Sequence, residues 1–474
     1  MKKKMIFGVL GALFLYVLVF GIFVFLFDKQ VSETYRAEHP VERLYSDRVG
    51  GDRALLIDEP RDSAIVRVNM IETAEESLDI SYYSMESGKV TNTFWGLLIE
   101  AADRGVRVRI ILDGIANGLK GDKKEILYVM KKHPNIELKF YEPINIWKPW
   151  TLNNRLHDKY MIADNQIAVI GGRNIGDRFM VPDGYQGEVT FDRDVVLYKN
   201  GMQDSVIQDL SAYFNMVYKS PYAKDTVGKL TKKQEKSARE KIDELQQSLQ
   251  KERINKDNIF NKRIKWEQVT LPTNKITLIH NPIDRFTKEP WVWYEMNQLF
   301  QKAEKSIFLQ SPYIIPSKKM MTGFFNEIQK DGVKLKVLTN SRASTPNYLA
   351  FSVYLNYRNK MVESGADIYE YHGEHSIHTK AYGIDDDMSL IGSFNIDPRS
   401  AFLSTETMVV IHSKEIKNQL DDMTNEYEKK SLLIGEDYKY IINESSIEER
   451  SVSMFKNILL KIIGFCGRFF EFLL

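Results

Sequence analysis

Arg155-Leu156-His157-Asp158-Lys159-Tyr160-Met161-Ile162-Ala163-Asp164 is the stretch on which the reading of this chain turns. Its polar skeleton is H-x-K-x4-D. Residues two apart share one face of a strand, so a strand here turns His157 and Lys159 into the same space. An imidazole can attack phosphorus or move a proton near neutral pH. A neighbouring ammonium can hold phosphate oxygens. One such pattern carries little weight, but the chain writes it twice: Ile377-His378-Thr379-Lys380-Ala381-Tyr382-Gly383-Ile384-Asp385 repeats the skeleton.

The surroundings of the two copies also match. Upstream of the first, Ala74 to Tyr83 reads as a helix end running into a strand. Phe94 to Arg104 is amphipathic and stops at Gly105, and Val106 to Leu112 reads as the next strand. Ala303 to Gln310, Met320 to Lys330, and Asp331-Gly332 followed by Val333 to Leu338 repeat that order upstream of the second. Strand, helix, strand predicts parallel pairing and an α/β fold in two similar halves. Downstream, Gly171-Gly172-Arg173-Asn174 and Gly392-Ser393-Phe394-Asn395 follow their histidines at the same interval. Glycine permits close backbone approach, and asparagine can donate to a phosphate oxygen. Asp194 and Glu406 each precede an apolar strand, placed to orient an imidazole through its second nitrogen. Two half-sites of His, Lys and Asn predict one composite site between the lobes. One histidine attacks a phosphodiester, and the other protonates the leaving alcohol and then deprotonates the incoming hydroxyl. The lysines and asparagines hold the phosphoryl oxygens, so no metal or other cofactor is expected.

The 474 residues allow two globular units with attachments, and 65 Lys plus Arg against 64 Asp plus Glu give no sign of a general polyanion binder. The single Cys466 excludes an internal disulfide and a Cys-based zinc cluster. His372, His375 and His378 have a zinc-like spacing, but Gly373 argues for a loop and His378 belongs to the catalytic pattern. Lys2-Lys3-Lys4 precedes an apolar run from Met5 to Phe27, long enough to cross roughly 30 Å of hydrocarbon. No small-x-small cleavage site follows it, so a retained anchor with a cytoplasmic N-terminus is expected, and the rest of the chain outside the cytoplasm. The organisation expected is an anchor over 1–28, a linker over 29–50, a first lobe over 51–221, a charged solvated helix or linker over 222–265, a second lobe over 266–435, and a C-terminal segment over 436–474. In that last segment Phe455, Ile458, Leu459, Ile462, Phe465 and Phe469 oppose Lys456, Lys461 and Arg468, a pattern suited to a membrane interface.

Both H-x-K-x4-D segments and their Gly-rich, Asn-ending sequels resemble the phospholipase D superfamily, over most of residues 50–430. The resemblance implies two α/β lobes of mixed sheets flanked by helices, with a pseudo-twofold shared active site and a phosphohistidine intermediate. It carries the catalytic roles to His157, Lys159, Asp164, His378, Lys380 and Asp385, the two aspartates ranking lower because they commonly tie strand to loop. Asn174, Asn395, Ser393 and Gly172 become phosphate-binding candidates, Asp194 and Glu406 the histidine-orienting acids, and His157 the nucleophile. Ile391 to Ser400 with Ser404-Thr405-Glu406 looks like bacterial cardiolipin synthases, closest to their minor, C-type members, although the main type has two N-terminal membrane helices and this chain one. That implies phospholipid partners such as phosphatidylglycerol and no nucleic acid. Transfer to a lipid alcohol, hydrolysis to phosphatidic acid and cleavage of DNA remain separate outcomes of the same chemistry.

Overall fold

The computed structural model describes residues 2–254, 259–260, 263–325, 332–442 and 447–474. The first lobe supplies β1 (Asp52–Ile57), β2 (Ser77–Tyr82), β3 (Arg107–Asp113), β4 (Ile136–Tyr141), β5 (Lys159–Ala163), β6 (Ile167–Gly171), β7 (Thr190–Phe191), β8 (Asp194–Lys199) and β9 (Ala223–Asp225). A short β10 (Leu271–Pro272) leads into the second lobe, with β11 (Lys275–His280), β12 (Ser306–Gln310), β13 (Lys334–Asn340), β14 (Asp367–Tyr371), β15 (Ser376–Ile377), β16 (Ala381–Ile384), β17 (Met388–Gly392), β18 (Thr407–His412) and β19 (Ser431–Leu433). The sheets run β10-β1-β8-β6-β5-β2-β3-β4-β9 and β11-β18-β17-β16-β12-β13-β14-β19. Apart from β10 at one edge, the two orders are the same. In each, a parallel core (β2-β3-β4 and β12-β13-β14) continues into an antiparallel flank. The chain is thus an α/β protein of two similar lobes with mixed sheets and flanking helices.

The expected parallel pairing therefore holds in both halves. Gly105 and Gly332, read as helix stops, have φ of +99° and +75°, which a Cβ-bearing residue adopts only with strain. The first helix begins earlier than its amphipathic pattern, at Lys89. Its counterpart in the second lobe, expected over 320–330, is described only to Phe325, and 326–330 lie outside the described residues.

Alternation along the strands sorts the cores. Met161, Ala163 and Val169 face the first lobe's helices, whereas Tyr160, Ile162, Ala168 and Ile170 join Ile276, Leu278, Ala381, Ile391, Val409 and Ile411 in an apolar layer between the lobes. Helices Val206–Lys219 and Lys414–Glu428 complete that layer. The lobes are consequently fixed to each other by core packing, the condition for a site built from both.

The segments read as linkers pack against the lobes. Lys232–Ile254 is a 23-residue helix, and Ala238, Leu245 and Leu249 bury a narrow stripe on the first lobe. Arg253 adds ion pairs to Glu72 and Glu100. Three apolar residues on one face hold a helix whose other faces are charged, which a count of apolar residues underestimates. Residues 29–50 lie on the second lobe, not the first that they precede: Tyr35 donates to Glu295 at 2.6 Å, Ser32 N–H donates to Glu289 at 3.0 Å, and Leu44 enters the second lobe's core.

Lys4–Phe25 is long and apolar enough to cross a membrane and is mostly exposed, with Gly21 and Phe25 buried at its C-terminal end. Its C-terminal end meets the loop before β5, where Tyr16 donates to the Trp147 carbonyl at 2.8 Å and Asn153 donates to the Gly21 carbonyl at 2.6 Å. Ile144, Ile146 and Trp147 in that loop are exposed. The C-terminal helix Met454–Gly467 docks on helix Tyr348–Glu363, with Gly464 so near Ser352 that a Cβ would lie 2.9 Å from its carbonyl oxygen. Its outer face leaves Phe455, Ile458, Ile462 and Phe465 in the open.

Candidate active site

His157 and His378 stand just before β5 and β16, in segments that pair across the lobe interface. Leu156 bridges Thr405, and β15 runs parallel to β7. The Thr405 N–H donates to the Arg155 carbonyl at 2.9 Å, and the His378 N–H donates to the Phe191 carbonyl at 2.6 Å. Each histidine thereby lies beside the acid of the opposite lobe. His157 Nδ1 is 2.8 Å from Glu406 Oε1, and His378 Nδ1 is 2.7 Å from Asp192 Oδ2. Both acids are fully buried. With Nδ1 engaged by an acid, Nε2 of each ring is the atom left for chemistry.

Both histidines line one cavity of about 400 Å³, with Asn174, Asn395 and Glu406. Tyr83 stands edge-on to His157 at 5.1 Å, and Tyr313 edge-on to His378 at 6.1 Å. Lys159 Nζ donates to the His157 carbonyl at 2.5 Å; Lys380 Nζ donates to the His378 carbonyl and lies over the His378 ring, 2.8 Å from Nδ1 and 3.1 Å from Nε2. Asp158, between His157 and Lys159, points the other way, accepting from Thr405 at 2.9 Å and Tyr213 at 3.1 Å. The Asn174 amide oxygen accepts from the Ser84 N–H at 3.3 Å, leaving its NH2 as a donor, and Asn395 Oδ1 is buried without a partner among the described residues.

Burial dominates the electrostatics. It pushes the Lys159 ammonium down to about 7 and that of Lys380 to about 8, against the opposing pull of Glu406 and Asp192. Burial, then the two lysines, hold His157 well below the ordinary imidazole value; burial and Lys380 bring His378 to about 4. The two acids differ. Burial lifts Glu406 well above the carboxylate range. Burial also acts upward on Asp192, yet Lys380 and His378 hold it below that range. The ionised Asp192 pulls the His378 ring back toward protonation, against burial and Lys380, whereas the raised Glu406 gives His157 no such pull.

Four expectations change. Asp194 does not orient a histidine: its carboxylate accepts from Ser63 at 2.7 Å, Arg67 at 2.9 Å and Arg173 at 3.2 Å. The sheet register explains the slip. Gly171 pairs with Asp194 and Gly392 with Met408, so the counterpart of Glu406 lies two residues upstream, at Asp192. Asp164 and Asp385 are outside the cavity, at the far ends of β5 and β16. At φ of +53° and +47° they close the turns there. Asp164 accepts backbone N–H groups of Glu75, Glu76 and Ser77 at 2.8–2.9 Å; Asp385 does the same for Glu304, Lys305 and Ser306. Ser393 lies behind an acid, donating to Glu406. Gly172 occupies the matching place behind Asp192, where a Cβ would collide with the carboxylate. Asp164→Ala is expected to cost about 2 kcal/mol in denaturant melts, the scale of charge-assisted bonds whose donors water can partly satisfy. Asp164→Asn, which tolerates the left-handed turn, should cost less than half of that.

Arg178 and Arg399 also line the cavity, each four residues after its asparagine, a spacing that marked them in the sequence without being read. Arg178 is paired with Glu86 at 2.6 Å, whereas Arg399 binds the Leu473 carbonyl and, at 3.5 Å, that of Asn153.

The family profile described as cardiolipin synthase, PLD-like domain, matches residues 68–217 and 296–427, one block in each lobe. The chain belongs to the phospholipase D superfamily. Among superfamily relatives, it is 30% identical over 425 residues to an uncharacterized protein of Helicobacter pylori, covering 81% of this chain and 82% of that one. It is 26% identical over 401 residues to cardiolipin synthase C of Escherichia coli, covering 77% and 82%. The fold is that of the phosphatidylserine synthase of Haemophilus influenzae, with a TM-score of 0.65, 13% identity, and 94% and 100% of the two chains covered.

Proposed function

We propose that the chain is a membrane-anchored phosphatidyltransferase that moves a phosphatidyl group, through a phosphohistidine, onto a lipid alcohol such as phosphatidylglycerol, as a cardiolipin synthase does. The observation that carries this is the pair of histidines on one cavity, each held by an acid of the other lobe. His157 Nε2 attacks phosphorus, and His378, drawn to its imidazolium form by Asp192 and the bound anionic diester, gives its proton to the departing glycerol oxygen. The neutral His378 then takes the proton of the incoming hydroxyl, whose oxygen displaces His157. Lys159, Lys380, Asn174 and Asn395 hold the phosphoryl oxygens. The relative named cardiolipin synthase C supports this choice of reaction.

Lipid as substrate is supported by what surrounds the cavity. The apolar N-terminal helix, the exposed Ile144-to-Trp147 loop and the open face of the C-terminal helix lie on one connected structure. Arg399 joins the end of that loop at Asn153 to Leu473, and Leu474 lines the cavity. Lys2-Lys3-Lys4 supports a cytoplasmic N-terminus, with the catalytic lobes across the membrane.

The test is product analysis with detergent-solubilised full chain. Cardiolipin and glycerol from phosphatidylglycerol support transfer. Phosphatidic acid alone would assign hydrolysis, and shortening of single-stranded DNA without lipid turnover would overturn the lipid reading. The lysines add a pH dependence. As pH rises through about 7 for Lys159 and about 8 for Lys380, the free enzyme loses the charges that hold the anionic diester. kcat/KM should therefore fall above that range. kcat should hold to higher pH, because bound phosphate raises both lysines. A kcat/KM profile flat to about pH 10 would remove the lysines from phosphate binding.

A further inference from the structure

A second cavity, of about 510 Å³, lies in the second lobe where the C-terminal helix begins, and shares no lining residue with the catalytic one. Arg342, Arg358, Lys439 and Arg450 line it, with Glu449 as the carboxylate in its wall. Among the described residues, their bonds leave most of that charge unneutralised. Arg342 donates to Asn457 Oδ1 at 2.8 Å, and Arg450 to the carbonyls of Gly373 and, at 3.1 Å, Glu374. Lys439 comes no nearer than 3.9 Å to Asp437. Arg358 donates to the Tyr438 carbonyl at 3.2 Å and has Glu370 at 3.4 Å, but that carboxylate also accepts from Tyr354 and Tyr440. The Arg358 Nε is buried with no partner among the described residues.

His372 supplies the independent sign of a ligand. It is 4% exposed, and its Nδ1 accepts from the Arg450 N–H at 3.1 Å. The ring proton therefore sits on Nε2, and that donor too has no partner among the described residues. Buried donors are seldom left unpaired unless a ligand or water completes them. The helix that starts at Met454 adds the partial positive charge of its first turn.

We propose that this cavity binds a phosphate group, that of an anionic phospholipid headgroup. Arginines suit phosphate because their planar fork matches its oxygens. The headgroup source follows from the neighbouring helix. Its outer face carries exposed Phe455, Ile458 and Ile462, and an interfacial helix places its end at headgroup depth. Free phosphate offers the same chemistry, so the test separates the two sources.

The full chain carrying His157→Ala, which stops turnover, is reconstituted in phosphatidylcholine nanodiscs containing phosphatidylglycerol. Phosphatidylglycerol retained after detergent exchange is counted by native mass spectrometry, with and without Arg342→Gln and Arg450→Gln. In parallel, melting of the solubilised chain is followed with added inorganic phosphate. Loss of one phosphatidylglycerol per chain in the double variant supports the headgroup site. A phosphate-dependent rise in melting temperature that the variant loses, without any change in lipid count, would assign the cavity to soluble phosphate and overturn the headgroup source. Unchanged lipid and no phosphate effect would overturn the site. Equal melting of the two chains without ligand confirms folding. Should the double variant melt lower, Lys439→Gln replaces it, since that side chain is 83% exposed, and a several-fold weaker retention is expected.

Discussion

His157→Ala should lower turnover of a phospholipid donor by on the order of 10⁴-fold or more, because it removes the atom that bonds to phosphorus. His378→Ala should cost on the order of 10²–10⁴-fold for the same donor, since it removes the proton for the leaving oxygen. The two are separated by the donor. With a phosphatidyl ester of nitrophenol, whose leaving group needs no proton, the His378→Ala chain should still complete the first step. It should then stall on the second, accumulating one labelled phosphatidyl group per chain, whereas the His157→Ala chain stays unlabelled. This follows from the unequal acids, an ionised Asp192 behind His378 and a raised Glu406 behind His157. Denaturing gels of chain treated with labelled donor would read the result directly. Label on the His157→Ala chain and none on the other would exchange the two roles.

The largest loss of stability should come from Asp194→Ala, about 3–5 kcal/mol in a denaturant melt. It strands the guanidiniums of Arg67 and Arg173, which are 2% and 0% exposed and share this carboxylate. Asp192→Asn, two residues away, should behave in the opposite manner. It leaves a polar atom near His378 but removes the negative charge that supports the imidazolium, so kcat falls by on the order of 10²–10⁴-fold with a much smaller change in melting. If Asp194→Asn were as inactive as Asp192→Asn while folding normally, the assignment of the two acids would be reversed.

The contrast between these acids shows what was legible in the sequence. Repeated patterns carried the fold and the histidines, because strand, helix and glycine cap recur with the same spacing in both halves. Asp192 and Asp194 both look plausible in one dimension, since residues two apart share a strand face. Only the pairing of Gly171 with Asp194 decides between them, and that is a cross-strand fact. Asp164 and Asp385 belong to the repeated skeleton because both lobes need the same turn, so their recurrence reports folding rather than chemistry. The partners of Glu406 and of residues 29–50 lie in the lobe remote in sequence, and local pattern carries no information about that.

The crossing of acids between lobes bears on ancestry. A solitary lobe would hold an imidazole lacking its carboxylate and a carboxylate lacking its imidazole, and would become complete only by facing a copy of itself. Joining two copies in one chain releases them from identity. The marks of that release are visible: a short acid seated over Gly172 on one side, and a longer one propped by the Ser393 hydroxyl on the other. On the proposed mechanism, twin half-sites can thereby specialise, one to seize phosphorus and its sibling to manage protons.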